Sequence, residues 1–174
     1  MTRLPNNYEF KENTTGNYFK IREDAQAFRI LTSPIIWYEY FREDKDWKVK
    51  PVRQRSPFSW TPADSSKWQA PKEFWAFVVY NHTEKRIQVM EITQRTLMKI
   101  VKDYSENGDW WDPKQYDFEI SRTWKWTDTK YALMALPKSR FESDKDWNTA
   151  LEEAEKVNLE ALFEWGDPFN ENPF

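Results

Sequence analysis

The sequence predicts a mainly β domain with flanking helices, and three observations carry that expectation. Apolar and aromatic residues gather in runs of strand length, such as Ile35-Ile36-Trp37-Tyr38-Glu39-Tyr40-Phe41 and Phe74-Trp75-Ala76-Phe77-Val78-Val79-Tyr80, dense in the residue types that suit a pleated surface. After the second hairpin strand, Leu97, Ile100, Val101 and Tyr104 recur at helical spacing instead. The charge then breaks near residue 141: residues 1–141 hold 24 Lys and Arg against 19 Asp and Glu, whereas residues 142–174 hold 2 against 10. The net charge of −3 therefore hides a body of +5 and a C-terminal region of −8, which signals partners rather than a fold.

In chain order, residues 1–17 are polar, with Pro5 and Thr14-Thr15-Gly16, and read as a flexible arm. A strand pattern runs from Tyr18 through Phe28-Arg29-Ile30-Leu31 into residues 35–41, and Pro34 inside it marks an edge, a bulge or a bend. Residues 42–73 read as one long, irregular, charged connection stiffened by Pro51, Pro57, Pro62 and Pro71; connections of that length are uncommon unless they are functional or disordered. A hairpin pairs residues 74–80 with 86–92 across Asn81-His82-Thr83-Glu84. Thr93 reads as the N-cap of a helix that Asn107-Gly108 ends. A second hairpin pairs residues 116–122 with 130–136, its tip at 123–128, and Ser143 or Asp144 caps a final helix to about Leu162. Three units result: an arm (1–17), a binding body (18–141) and an acidic C-terminal helix with a tail (142–174). Within the body, the order fits a five-stranded Greek-key barrel with one helix between strands 3 and 4, the oligonucleotide-binding (OB) arrangement. A split sheet with one covering helix fits the same order.

Composition excludes several chemistries. The 174 residues contain no cysteine, which removes disulfides, thiolate nucleophiles and the usual structural zinc sites. The single histidine, His82, reads as a solvated turn residue without a nucleophile partner. Three glycines leave no phosphate-cradling loop. Asp109 and Asp112 could be a magnesium pair, but a helix end and a proline turn explain them better. The expectation is a chain that is not an enzyme and holds no metal or cofactor. No apolar run reaches the ~20 residues of a membrane span, and no signal-peptide pattern opens the chain.

Aromatic residues, by contrast, reach 18%, more than one core of this size requires. Many stand beside cations, as a stacking platform for nucleobases requires. In the 42–73 segment these are Trp47, Lys48, Lys50, Arg53, Arg55 and Trp60; an extended chain sets Lys48 and Lys50 on one face and Arg53 and Arg55 on the other. At the second hairpin, Arg122, Trp124, Lys125 and Trp126, with Tyr131 across the turn, read as a finger whose rings stack on bases while its cations meet phosphates. The strand aromatics Trp37, Tyr40, Trp75, Phe77 and Tyr80 divide between core and groove; alternation sets Trp75 and Phe77 opposite Tyr80 and leaves open which face is inside. A solvated charge run and an aromatic-rich core are the plain alternatives to these readings.

The C-terminal region gives the most specific signal. Residues 157–174 carry Glu160, Glu164, Asp167 and Glu171 without Lys or Arg, and close on Pro173-Phe174. An apolar residue placed last on an acidic tail suits capture in a basic-rimmed hydrophobic pocket, which makes Asp167, Phe169, Glu171, Pro173 and Phe174 the partner-binding candidates. A frayed end is the plain alternative.

At residues 18–140 the chain resembles the bacteriophage single-stranded DNA-binding proteins of the OB-fold replication family. The resemblance is carried by Phe28-Arg29-Ile30-Leu31-Thr32-Ser33-Pro34, Phe74-Trp75-Ala76-Phe77-Val78-Val79-Tyr80-Asn81, Ile87-Gln88-Val89-Met90-Glu91-Ile92-Thr93-Gln94, and Asp112-Pro113 before Tyr116-Asp117. It implies an OB barrel that coats single-stranded DNA without sequence preference during phage replication, recombination and repair, in the cytoplasm of the infected bacterial host. The acidic tail ending in Pro173-Phe174 is similar to that of bacterial single-stranded DNA-binding proteins, which implies recruitment of a polymerase, helicase or primase, with self-association open. Some members hold a Cys/His zinc site, which a chain without cysteine does not carry over. An adaptor or carbohydrate-binding module built on the same rings is the alternative function. A basic body tethered to an acidic tail also implies competition between tail and DNA, so deleting residues 166–174 is expected to raise oligonucleotide affinity at low salt.

Overall fold

The computed structural model describes residues 14–43, 45–46, 48–59, 70–110, 112–125 and 127–170. The fold is mainly β, one antiparallel open sheet of seven strands with two α-helices. The strands are β1 (Gln26–Ile30), β2 (Ile35–Glu43), β3 (Val49–Gln54), β4 (Lys72–Asn81), β5 (Arg86–Ile92), β6 (Asp117–Lys125) and β7 (Asp128–Leu136). Helix α1 is Arg95–Glu106 and α2 is Asp144–Glu155; 3-10 turns span Thr14–Asn17, Pro113–Gln115 and Leu159–Glu164. The sheet order is β3-β2-β4-β1-β6-β7, and β5 pairs with β4.

β1 and β2 act as one bent strand. Ile35 to Glu39 pair with the first half of β4 and Phe28 to Ile30 with its end, on the same antiparallel sense. Between them, Leu31 donates its N–H to Val78 O at 2.8 Å, and Thr32 Oγ1 accepts from Val78 N at 3.0 Å. The threonine hydroxyl thus replaces a ladder carbonyl where the chain bends into Pro34. Beyond the bend the partners diverge, β1 toward β6 and β2 toward β3.

Seven strands replace the expected five for two reasons. The bend divides one strand into two, and the 42–73 connection contains β3. Pro51 is tolerated there because β3 is an edge strand. Both hairpins are present, although the second extends its ladder through Lys125 and Asp128 into the expected tip.

Both faces of the sheet are covered. On one, Phe28, Ile30, Phe77, Val79, Met90, Phe118 and Ile120 pack with Leu97, Met98 and Val101 of α1. On the other, Leu31, Trp37, Ala76, Val78 and Val89 pack with Ala150 and Ala154 of α2 and with Leu159 and Leu162. β4 feeds both cores, so Ala76-Phe77-Val78-Val79 is an unbroken buried run, the pattern of a strand enclosed on both faces.

The helix ends differ from expectation. Gln94, not Thr93, takes the α1 cap position without a side-chain cap bond; its amide Nε2 instead donates to Tyr131 Oη at 3.3 Å. Ser143 does cap α2, its Oγ accepting from Asp146 N at 3.2 Å, and Asp144 and Asp146 favour that positive helix end. The final helix stops at Glu155 rather than Leu162, and the chain resumes as a 3-10 turn that sends Leu159 and Leu162 into the second core.

Asp117 joins the sheet to the C-terminal region. Its carboxylate accepts from Arg29 Nε at 2.8 Å, His82 Nε2 at 2.9 Å and Arg140 N at 2.5 Å. His82 is therefore a buried network member and not the solvated turn residue expected. Burial alone would push the Asp117 carboxyl up; the donors from His82, Arg29 and the Arg140 amide, with the Arg29 charge, outweigh it and hold the carboxyl below the usual carboxylate range. A folded value below the unfolded one stabilises the fold above about pH 4, and that stabilisation disappears as pH falls through the lower folded value. Asp117→Ala leaves the Arg29 guanidinium buried without its carboxylate and is expected to cost about 3–5 kcal/mol. Urea denaturation at pH 7 checks the loss, and repeating it across the acid range should show a flatter pH dependence in the variant.

Candidate nucleic-acid interface

The strand aromatics separate by face. Trp37 is 1% exposed, stacked on Phe74 at 5.4 Å, and lies under the C-terminal region. Phe77, also 1% exposed, lies under α1. Tyr40, 7% exposed, meets the Phe58 ring edge-on at 5.0 Å. These three rings are core and cannot offer a face to a base, which corrects their assignment as stacking residues. Tyr80 is half-buried and packs on Phe141 at 4.9 Å, so it too serves the contact with the C-terminal region.

The arginines of the 42–73 segment are engaged as well. Arg53 Nε pairs with the buried Glu39 carboxylate at 2.6 Å, and its guanidinium donates to Leu162 O. The same guanidinium lies 3.5 Å from the Trp165 ring centre and 5.1 Å from that of Trp37. Arg55 pairs with Glu160 and lies 4.3 Å from the Phe163 ring centre. Both sit on one face, as their spacing predicts, but that face meets protein. The assignment of Arg53 to phosphates is corrected, because its pair with Glu39 is buried; Arg55 reaches the acidic segment through an exposed pair. Lys48 and Lys50 are exposed.

That docking also moves the start of any detachable tail. Pro168 is buried, its carbonyl accepting from Asn158 N at 2.9 Å, and Phe169 packs on the second core. Asp167 Oδ1 accepts from Phe169 N at 2.9 Å. Asp167 and Phe169 are thus part of the fold rather than of a free tail, and a deletion that tests competition has to begin at residue 171. Glu171, Pro173 and Phe174 lie outside the described residues, as do Trp47, Trp60 and Trp126, and the side chain of Lys125.

The α1 side brings the remaining candidates together. Trp75 is half-buried; its Nε1 donates to Glu73 Oε1 at 2.8 Å, and it meets Phe77 edge-on at 6.5 Å. Of three adjoining clefts, two are lined by it. One is lined by Lys72, Gln94 and Arg95; it shares Glu73 and Arg95 with a second, lined also by Lys99. The second shares Trp75 and Lys102 with a third, which reaches Lys114 at the Pro113–Gln115 turn. Shared walls make these one groove along α1.

Among the described residues, five cations line this groove: Lys72, Arg95, Lys99, Lys102 and Lys114. Two carboxylates accompany them, both committed: Glu73 to Trp75, and Asp112 to capping its own turn through Lys114 N at 3.0 Å. Lys99 and Lys102 pair with Asp103 and Glu106 at 2.7 and 3.6 Å, exposed contacts of the kind a phosphate displaces at little cost. Among the described residues no cluster of His, Cys, Asp and Glu suits a metal ion.

The second hairpin continues the inner face. Arg122 opposes Tyr131 and Trp124 opposes Thr129, in line with the core pair Ile120 and Leu133. Trp124 is 66% exposed, and Gln94 ties Tyr131 to the groove. Sequence reasoning missed Lys72, Arg95, Lys99, Lys102 and Lys114. The signal for three of them was present: Arg95, Lys99 and Lys102 recur at the i, i+4, i+7 positions of one helical stripe.

Compared with known proteins, the chain matches no family model, no curated protein and no solved structure. No helix among the described residues is long and apolar enough to cross a membrane.

Arg53→Ala leaves Glu39 buried without its cation and is expected to cost about 3 kcal/mol. Lys50→Ala, at an exposed position, should stay within about 0.5 kcal/mol of the wild type. Chemical denaturation of the two variants separates an architectural arginine from a solvated lysine.

Proposed function

We propose that the protein binds single-stranded DNA without sequence preference, through the groove along α1. The observation that carries this is the run of three adjoining clefts, two of them lined by Trp75, with five cations on their walls. Cations neutralise phosphates and release counterions, while an aromatic ring stacks on any base. The exposed Trp124 and its neighbours Arg122 and Tyr131 extend the path onto the hairpin.

The reading includes an OB-type body, supported by the bent β1–β2 strand, its sharing among β3, β4 and β6, and a helix that follows the β4–β5 hairpin. It also includes coating of single strands during phage DNA replication, recombination and repair in the infected bacterial cytoplasm. The acidic C-terminal segment would recruit a polymerase, helicase or primase from residues beyond Asn170. The first rests on the sequence blocks that resemble the phage family, the second on the acidic charge and the Pro173-Phe174 end of the sequence.

Titration of a fluorescent oligothymidine at several salt concentrations tests the binding claim. Affinity should fall with salt, and Arg95→Ala combined with Lys99→Ala and Lys102→Ala should reduce the slope of log K on log salt by about two units, at ~0.7 for each phosphate no longer neutralised. An unchanged slope, or a preference for duplex, would refute the groove.

A further inference from the structure

We infer that Trp75 is a wedge between two consecutive bases of a bound strand, each in its own cleft, with Lys102 taking the phosphate between them; this rests on the single-strand reading above. Trp75 and Lys102 are the only residues, among those described, that line both clefts. The first cleft, about 230 Å³, sits at the β1–β2 bend and exposes mainly apolar surface, with Pro34, Trp75 and Pro113 among its lining residues. The second, about 280 Å³, opens beside Met98, Arg95 and Lys99. Both volumes fall below the ~300–1,000 Å³ usual for a drug-sized ligand, which suits a flat ring in each.

The wedge is set before any ligand arrives. The Glu73 carboxylate and the Phe77 ring fix the indole, so little side-chain freedom is lost on stacking. The polar rim of the first cleft is undemanding. Thr32 Oγ1 already accepts from Val78 N at 3.0 Å, which leaves its O–H to donate. Ser105 Oγ donates to Lys102 O at 2.7 Å, which leaves its lone pairs to accept. Ser33 adds a third hydroxyl to this rim, and hydroxyls that donate or accept satisfy some edge of every base and select none. Asp112 is the carboxylate of this cleft, and its two oxygens already accept from Lys114 N and Gln115 Nε2 at 3.0 and 3.4 Å. Lys102 stands between the clefts with its side chain 62% exposed and paired with the exposed Glu106 at 3.6 Å, ready to exchange it for a phosphate.

Fluorine NMR of protein labelled with fluorotryptophan tests the wedge, the Trp75 resonance being identified by its loss in Trp75→Phe. The probes are the dinucleotide thymidylyl-thymidine, the same dinucleotide without bases, oligothymidine, and the peptide Glu-Asn-Pro-Phe. The thymidine dinucleotide should shift the Trp75 resonance and the abasic one should not, and Lys102→Ala should weaken the dinucleotide severalfold. Lys102 is exposed, so this variant keeps the fold. Equal shifts from the abasic probe, or a larger shift from the peptide, overturn the base assignment. Oligothymidine binding with an unmoved Trp75 resonance overturns the wedge alone, whereas failure of oligothymidine to bind overturns the single-strand reading with it.

Discussion

The Asp117 carboxylate decides what the rest of the molecule can do. It is fully buried on β6 and gathers donors from β1, from the β4–β5 turn and from the segment leading into α2. A buried carboxylate without such partners would be too costly to keep ionised; with them, it makes separation of those segments costly instead. Arg29 completes the link, since its guanidinium also lies 5.0 Å from the Phe141 ring and 5.6 Å from Trp147 of α2. The C-terminal region is thus held on one face of the sheet, where it covers the second core and leaves a cleft of about 500 Å³ beside Tyr80, His82, Phe141 and Asp146.

The distribution of charge follows from that placement. The acidic C-terminal region meets arginines of the sheet, Arg53 and Arg55, through Glu160, a backbone carbonyl and two aromatic rings. Arg53, buried there, no longer contributes to a phosphate surface. The larger set of cations stands on the α1 side, at the walls of a groove, where their partners are exposed and weak. An overall acidic chain presents a basic path because much of its negative charge lies in the C-terminal region, on the opposite side of the sheet.

Much of this was readable from local pattern. The bend at Pro34, both hairpins, the amphipathic α1 and the Ser143 cap each depend on a few neighbouring residues. What escaped depends on distance along the chain. Arg53 and Arg55 find partners more than a hundred residues away, which no periodicity announces. Alternation in residues 74–80 suggested one inner and one outer face, yet Ala76-Phe77-Val78-Val79 is a continuous apolar run that already pointed to cover on both. Strand period also cannot rank depth along one face, so Trp75 and Phe77 looked alike although one lines the groove and the other is core. The β3 strand was hidden by its cations and by Pro51, which only an edge position permits.

Hydrogen exchange read by mass spectrometry, with and without a saturating oligothymidine, tests the central claim most directly. It reports on backbone along the whole chain without altering a residue. Protection should concentrate in the start of β4, in α1 and in the Pro113–Gln115 turn, while α2 and the Leu159–Glu164 turn remain as in the free protein. Protection centred on the C-terminal region, with α1 unaffected, would contradict it.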